Sequence, residues 1–473
     1  MDKLNLGADQ AKRWRDRALR SRRGRLSHNV VSWAIIGLAL AAGLAVRFLA
    51  RDYTPTDAGL FIQWYDLGLS AGADSLRQGL TNYAPLYSYA FYAITLLHDW
   101  LPIFASIKLI SLPFELGCAV MAYRLVAIST DSLTRPAWAF AAVWLAPSVI
   151  FNGALWAQAD AIWTFFIMVS LHAICQGRPL RATAAFAFAV SIKLQAIFFG
   201  PMIFALVLRR ELHWAWLALV PIVYALTAVP LLLLGRSILD VLLVYQAQAE
   251  FFQELSKNAA NLWIFVPNEF YHAGVVVGLV LAALAGLALS LRVAREAAWT
   301  PLFVILAAAV CLQLMPWALP KMHERYFYAF EISMMVAAFA EPRLTFLALV
   351  AQIDALIAYV GVDLNDHSGL GIWGPPFAAM INTVLLVAMI RRLTTARYFD
   401  ASPAFMAVIA SYVLWTLVVA GAGRDRMLTY WPAAKNDIAG LSAFLLILSL
   451  VSSSIAASSW IIRSRRKRGG GVR

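Results

Sequence analysis

Apolar runs long enough to cross a bilayer core recur along almost the whole chain, separated by short polar or basic breaks. The pattern predicts helical spans near 30–49, 103–126, 136–153, 159–175, 180–192, 195–208, 213–235, 271–292, 299–317, 326–341, 343–361, 375–393, 403–421 and 438–462. The expected fold is therefore all-α, a polytopic membrane bundle of about fourteen transmembrane helices. Runs 180–192 and 195–208 are short: at 1.5 Å per residue each covers about 20 Å of a roughly 30 Å core. Their junction, Lys193-Leu-Gln195, is expected to sink into the bundle. Two longer polar stretches interrupt the pattern. Residues 51–82 mix Asp52, Asp57, Asp66 and Asp74 with Tyr53, Phe61, Trp64 and Tyr65, and read as amphipathic helices along the membrane surface. Residues 236–270 form a second such loop. Segment 84–97 reads as a dip into the outer leaflet, because a full crossing there would put Arg124, Arg135 and the basic loops downstream outside.

Composition agrees with this reading: 62% of the 473 residues are hydrophobic and 14% are charged. The formal charge of +13 looks at first like a nucleic-acid signal, but its distribution points elsewhere. Residues 1–28 carry nine Lys or Arg against Asp2, Asp9 and Asp16, and the tail from Arg463 carries six with no acid, so the two ends hold 12 of the 13 charges. This predicts cytoplasmic termini lying against anionic membrane lipids, with no nucleic-acid partner. The organisation expected is a basic arm (1–28), a main transmembrane module (29–340), C-terminal transmembrane helices (341–462) and a basic tail (463–473). The N-terminal arm is too long and too basic for an ordinary cleaved signal peptide. Cys118, Cys175 and Cys311 sit inside apolar runs and read as small core residues.

Ionisable residues near a bilayer are costly, which makes their positions informative. Pro320-Lys-Met-His-Glu-Arg-Tyr326 puts Lys321, His323, Glu324 and Arg325 at the mouth of two spans. The predicted topology places this stretch on the outer side with Asp57, Trp156 to Asp160, Lys193 to Gln195 and Asn258 to Trp263. Such convergence suits a site at the membrane interface where an amphiphilic substrate enters from the lipid. Each residue also has a plainer reading. Asp57 can be a solvated loop acid, Lys193 a snorkelling lysine and His323 a hydrogen-bonded interface residue. Asp160 can be a helix N-cap, and Trp156 a belt aromatic rather than a sugar-stacking one. Arg325 and Lys321 run against the positive-inside bias, for which an anion on the outer face is the natural explanation. Lys108 and Glu115 read as an intramembrane pair; Asp354 has no assigned role. No His, Cys or carboxylate spacing calls for a metal.

The order Asn82-Tyr-Ala-Pro-Leu-Tyr87, Asn152-Gly-Ala-Leu-Trp-Ala-Gln-Ala-Asp160, Lys193-Leu-Gln195, Asn258-Ala-Ala-Asn-Leu-Trp263 and His323-Glu-Arg-Tyr326, behind an early-loop acid, resembles the GT-C superfamily. The nearest branch is that of bacterial mannosyltransferases related to the second mannosyltransferase of GPI-anchor synthesis. The resemblance covers roughly residues 30–340 and departs at Ala84, Ala157 and Leu194, where the branch usually has Pro, Gly and Pro. It implies a GT-C-like integral-membrane glycosyltransferase of the bacterial inner membrane, working on its periplasmic side. The donor would be a polyprenyl-phosphate sugar, with mannose the sugar this branch implies, and the acceptor a glycan or glycolipid. It carries the base over to Asp57 and the donor phosphate-binding role to Lys193, Arg325 and His323. Trp156, Gln158, Asp160, Gln195, Asn261 and Asp66 complete the candidate sugar- and acceptor-binding set. The implied reaction inverts the sugar in one displacement and needs neither metal nor other cofactor. The rival classes are a polysaccharide polymerase or ligase, and a transporter or flippase of lipid-linked sugars, which should show repeated halves.

Overall fold

A computed structural model describes residues 30–363 and 369–395. Eight of its helices are long and apolar enough to cross a membrane, and four shorter apolar helices run beside them. All twelve coincide with predicted spans. The two predicted spans at 403–421 and 438–462 and both basic ends lie outside the described residues. The protein thus has the build of a multi-pass membrane protein.

The chain begins with α1 (Val30–Leu49). Residues 51–82 hold two short helices, α2 (Ala58–Ala71) and α3 (Asp74–Gln78). Phe61, Trp64, Tyr65 and Gly68 form the buried side of α2. Helix α4 (Pro85–Thr95) has 11 residues, about 16 Å of rise and half of a bilayer core, so it is too short to cross. Then follow α5 (Ile103–Ser129), α6 (Arg135–Trp144) and α7 (Pro147–Ile150), which runs into a single π-helical turn at Phe151–Leu155. Helices α8 (Asp160–Cys175) and α9 (Pro179–Val190) lead through a 3₁₀ turn (Leu194–Phe199) into α10 (Gly200–Leu208). After α11 (Leu219–Leu233), the second polar loop carries α12 (Ile238–Leu242), α13 (Val244–Phe251) and the two-residue strand β1 (Ser256–Lys257). The bundle continues with α14 (Tyr271–Ala294), α15 (Pro301–Ala318), strand β2 (Met322–His323), α16 (Tyr328–Ala340), α17 (Thr345–Asp363) and α18 (Gly369–Thr395).

Burial divides these helices into two kinds. Helices α15 and α16 are mostly apolar, with Gln313, Glu331 and Ser333 among their buried side chains, and almost wholly buried, which makes them the centre of the bundle. Helices α11 and α14 turn Leu226, Leu233, Val276, Val277 and Leu284 outward, the uncovered apolar surface that lipid tails would cover. Charged residues are also sorted by end. Arg209 donates to the carbonyls of Ala294 and Glu296, and Arg292 to that of Leu393, so the basic breaks after α10, α14 and α18 meet at one end. At the other end Lys108 donates to the carbonyls of Ala50 and Tyr53, closing α1 and opening the loop that leads to Asp57.

Lys108 and Glu115 are not a pair. Glu115 takes Arg47 instead, with Nε 2.7 Å from Oε2. The two residues lie seven apart on α5, nearly two turns; Lys108 reaches the chain after α1, whereas Glu115 lies deeper, level with Arg47.

Candidate functional site

The site is assembled at breaks in the helices. The π turn at Phe151–Leu155 widens the chain by one residue, a local departure frequent at functional positions. Ala157 then takes a left-handed conformation, φ +55°, and Gln158 N bonds back to Asn152 O at 2.9 Å. This tight return brings Asn152 and Asp160 together at the start of α8. Gly153 leaves room there for Glu115, whose carboxylate would have to shift to admit a Cβ.

Asp160 is the hub. Lys193, at the break between α9 and the next 3₁₀ turn, places Nζ 2.6 Å from Asp160 Oδ1. Asn152 Nδ2 donates to Oδ2 at 3.1 Å and Trp163 Nε1 to Oδ1 at 3.1 Å. Arg325 Nε lies 3.6 Å from Oδ2. Both Asp160 and Lys193 are buried. The carboxylate is therefore used up by two cations and two neutral donors and caps no helix end. Lys193 presents its ammonium to Tyr83 and Tyr326, 5.6 and 5.3 Å from the ring centres. Burial disfavours its charge, but the Asp160 carboxylate outweighs that and raises its pKa.

Arg325 is held by a second anion. Glu324 Oε1 accepts from Arg325 Nη1 at 2.7 Å. Burial alone would raise the Glu324 carboxyl, but Arg325 brings it down to about 2. The loop bearing both residues is pinned by the parallel pairing of β1 and β2, in which Lys257 stands opposite His323. Lys321 N donates to Leu255 O at 2.7 Å and Glu324 N to Lys257 O at 3.2 Å. Asn258 and Lys321, on the two sides of this bridge, both have positive φ, conformations that cost energy and cluster at functional sites. His323 packs between Phe252 and Tyr326, with ring centres 5.1 and 5.2 Å away.

Asp57 joins from the first loop, the residue just before α2. Gln158 Nε2 donates to Asp57 Oδ2 at 2.8 Å, and Ser111 Oγ donates to the backbone oxygen of Gln158 at 2.5 Å. Asp57 is part-exposed while its partner is buried, so one carboxylate oxygen is fixed on the bundle and the group still reaches the surface. The remaining candidates fall in different places. Asn261 Nδ2 donates to Leu319 O at 3.1 Å, tying the second loop to the end of α15, and its Oδ1 is buried without a partner. Gln195 Oε1 is likewise buried and unpartnered. Trp156 packs edge-on against Phe151 and Tyr359 and offers no open ring face. Asp66 is exposed, more than two turns along α2 from Asp57. Among the described residues no group of three or more His, Cys, Asp or Glu side chains could share a cation.

The reading of the sequence passed over Glu324, Asn152 and Trp163 as site residues. Glu324 and Asn152 lie inside the quoted motifs and Trp163 lies three residues beyond one, but the contribution of each is a contact with Asp160 or Arg325, which spacing does not express.

Comparison of the chain with models of known families and with characterised proteins finds no match. The functional argument therefore rests on the cluster itself.

Proposed function

We propose that the protein is a membrane glycosyltransferase of GT-C-like fold, with about fourteen spans. It moves a sugar, mannose in the first instance, from a polyprenyl-phosphate donor to an acceptor hydroxyl of a glycan or glycolipid. The observation that carries this reading is the meeting of one accessible carboxylate, Asp57, with two cations, buried Lys193 and largely buried Arg325, around Asp160. A sugar leaving a lipid phosphate needs cations to hold the charge that grows on the phosphate. The attacking hydroxyl needs one base. Asp57 takes that proton while the hydroxyl oxygen bonds to the anomeric carbon and the phosphate departs with the old bonding pair, inverting the centre.

The site belongs on the outer face in this proposal, with both termini in the cytoplasm of a bacterial inner membrane. Support comes from the sorting of charge, since Arg209 and Arg292 sit at the end of the bundle away from Asp57. Membranes containing the protein, incubated with labelled polyprenyl-phosphate mannose, should transfer label to an endogenous acceptor. Failure with mannose, glucose and arabinose carriers alike would favour a polymerase or flippase.

A further inference from the structure

The charges that meet at the site cancel. Lys193 is matched by Asp160 at 2.6 Å, and Arg325 by Glu324 at 2.7 Å with Asp160 at 3.6 Å. One buried and one largely buried cation, Lys193 and Arg325, face two buried carboxylates, and Asp57 adds a further acid nearby. Both of these cations are thus already matched by carboxylates, and the further lysine of the loop, Lys321, gives its ammonium to the Tyr271 hydroxyl; an uncompensated charge is costly where water is largely excluded.

One neighbour can supply the missing charge without moving. His323 places Nδ1 3.6 Å from Glu324 Oε2, next in sequence to Arg325, on backbone fixed by β1. The groups facing it come from three directions. Its own loop gives Lys321, Glu324, Arg325 and Tyr326; the strand beside it gives Lys257, paired with Glu254 at 3.1 Å; across the site stands Lys193, which holds Asp160. Of the groups that surround the cluster, Glu324 titrates at about 2 and burial pushes Tyr326 to about 12. Lys193 and Arg325 are raised further from neutrality. His323 is the group suited to change charge near neutral pH. Burial, and then the charge of Arg325, lowers its pKa, so both act against the imidazolium in the empty site.

We propose that binding of the lipid-phosphate donor is coupled to uptake of one proton by His323, whose imidazolium supplies the positive charge that the pocket lacks. The inference rests on the donor assignment made above. The proton comes from solvent and stays on the imidazole through transfer. When the bond from the anomeric carbon to the phosphate oxygen breaks, the phosphate changes from monoanion to dianion beside a cation already in place. The sign follows from linkage. A His323 pKa below 6.5 in the empty site and higher in the complex means that protons are taken up between the two values, and there affinity falls as pH rises.

The test is calorimetric titration of the full chain in nanodiscs with polyprenyl-phosphate mannose, from about pH 5.5 to about pH 8.5, in two buffers of different ionisation enthalpy. A phosphodiester does not itself titrate in that range, so any proton taken up belongs to the protein. Kd should weaken with rising pH, approaching about tenfold per unit at the steepest point, with uptake of up to one proton. His323→Gln should bind with a flat pH dependence and no buffer-dependent heat. Tight binding by the unaltered chain with neither feature would overturn the inference, as would a His323→Gln variant that keeps both. Absence of binding at every pH would instead overturn the donor assignment, and the inference with it.

Discussion

Arg47 and Glu115 form one buried ion pair of this bundle, and Lys193 and Asp160 form another. Both lie among apolar helices, yet they are finished differently. Arg47 spends every donor group within the protein: Nε goes to Glu115, Nη1 to Gly43 O at 3.1 Å and Nη2 to Trp144 O at 3.2 Å. Its guanidinium lies 3.7 Å from the Trp144 ring centre. One polar atom is left over there, the buried indole Nε1 of Trp144. The second pair sits among unfinished groups. Arg325 Nε, Gln195 Oε1, Asn152 Oδ1 and Asn261 Oδ1 are buried without hydrogen-bond partners. Burial of charge is common to both regions; what separates the brace from the site is that Arg47 itself is saturated, whereas Arg325 and several amides keep unpaired polar atoms.

The comparison can be broken by substitution. Glu115→Leu or Lys193→Met each strands a buried charge and should cost about 3–5 kcal/mol in thermal unfolding in detergent. Replacing both members removes the stranded charge and restores most of that loss. Arg47→Met with Glu115→Leu should then keep transfer activity, whereas Lys193→Met with Asp160→Leu should abolish it in a folded protein. Equal activity in the two double variants would remove the distinction. A smaller effect is expected at the contact between the regions. Gly153→Ala pushes a methyl into Glu115 Oε1 and should cost about 1–3 kcal/mol by overpacking, measured as a lowered melting temperature. The smallest effect goes the other way. Ala157→Gly relieves a left-handed alanine and should gain about 1 kcal/mol in the same melting assay.

Much of this architecture could be read from the sequence because membrane spans are announced by length and apolarity alone. All twelve apolar helices among the described residues fall on predicted spans, and α4 is too short to cross. Asp57, Asp160, Lys193 and Arg325 were legible as outliers, polar residues at places where charge is expensive. Their partners were harder to see. Glu115 was assigned to Lys108 because they share α5, yet its true partner is 68 residues away on another helix. In the sequence Glu324 is one of four ionisable residues at the mouth of two spans; its bond to Arg325 appears only in the fold. Trp156 looked suited to a sugar, and only packing shows its faces covered by Phe151 and Tyr359. Apolarity is local and survives in a one-dimensional pattern, whereas saturation of a polar group depends on residues from several helices.

The account stands on Asp57 as the base of a lipid-phosphate-dependent transfer. The direct measurement is single-turnover transfer from labelled polyprenyl-phosphate mannose by purified protein, for the unaltered chain and for Asp57→Asn, Asp66→Asn and Asp160→Asn. Asp57→Asn should bind donor normally and lose at least the roughly 10²-fold in rate that a general base contributes, while Asp66→Asn stays active. Near-normal turnover by Asp57→Asn, together with an inactive Asp66→Asn or Asp160→Asn, would contradict it.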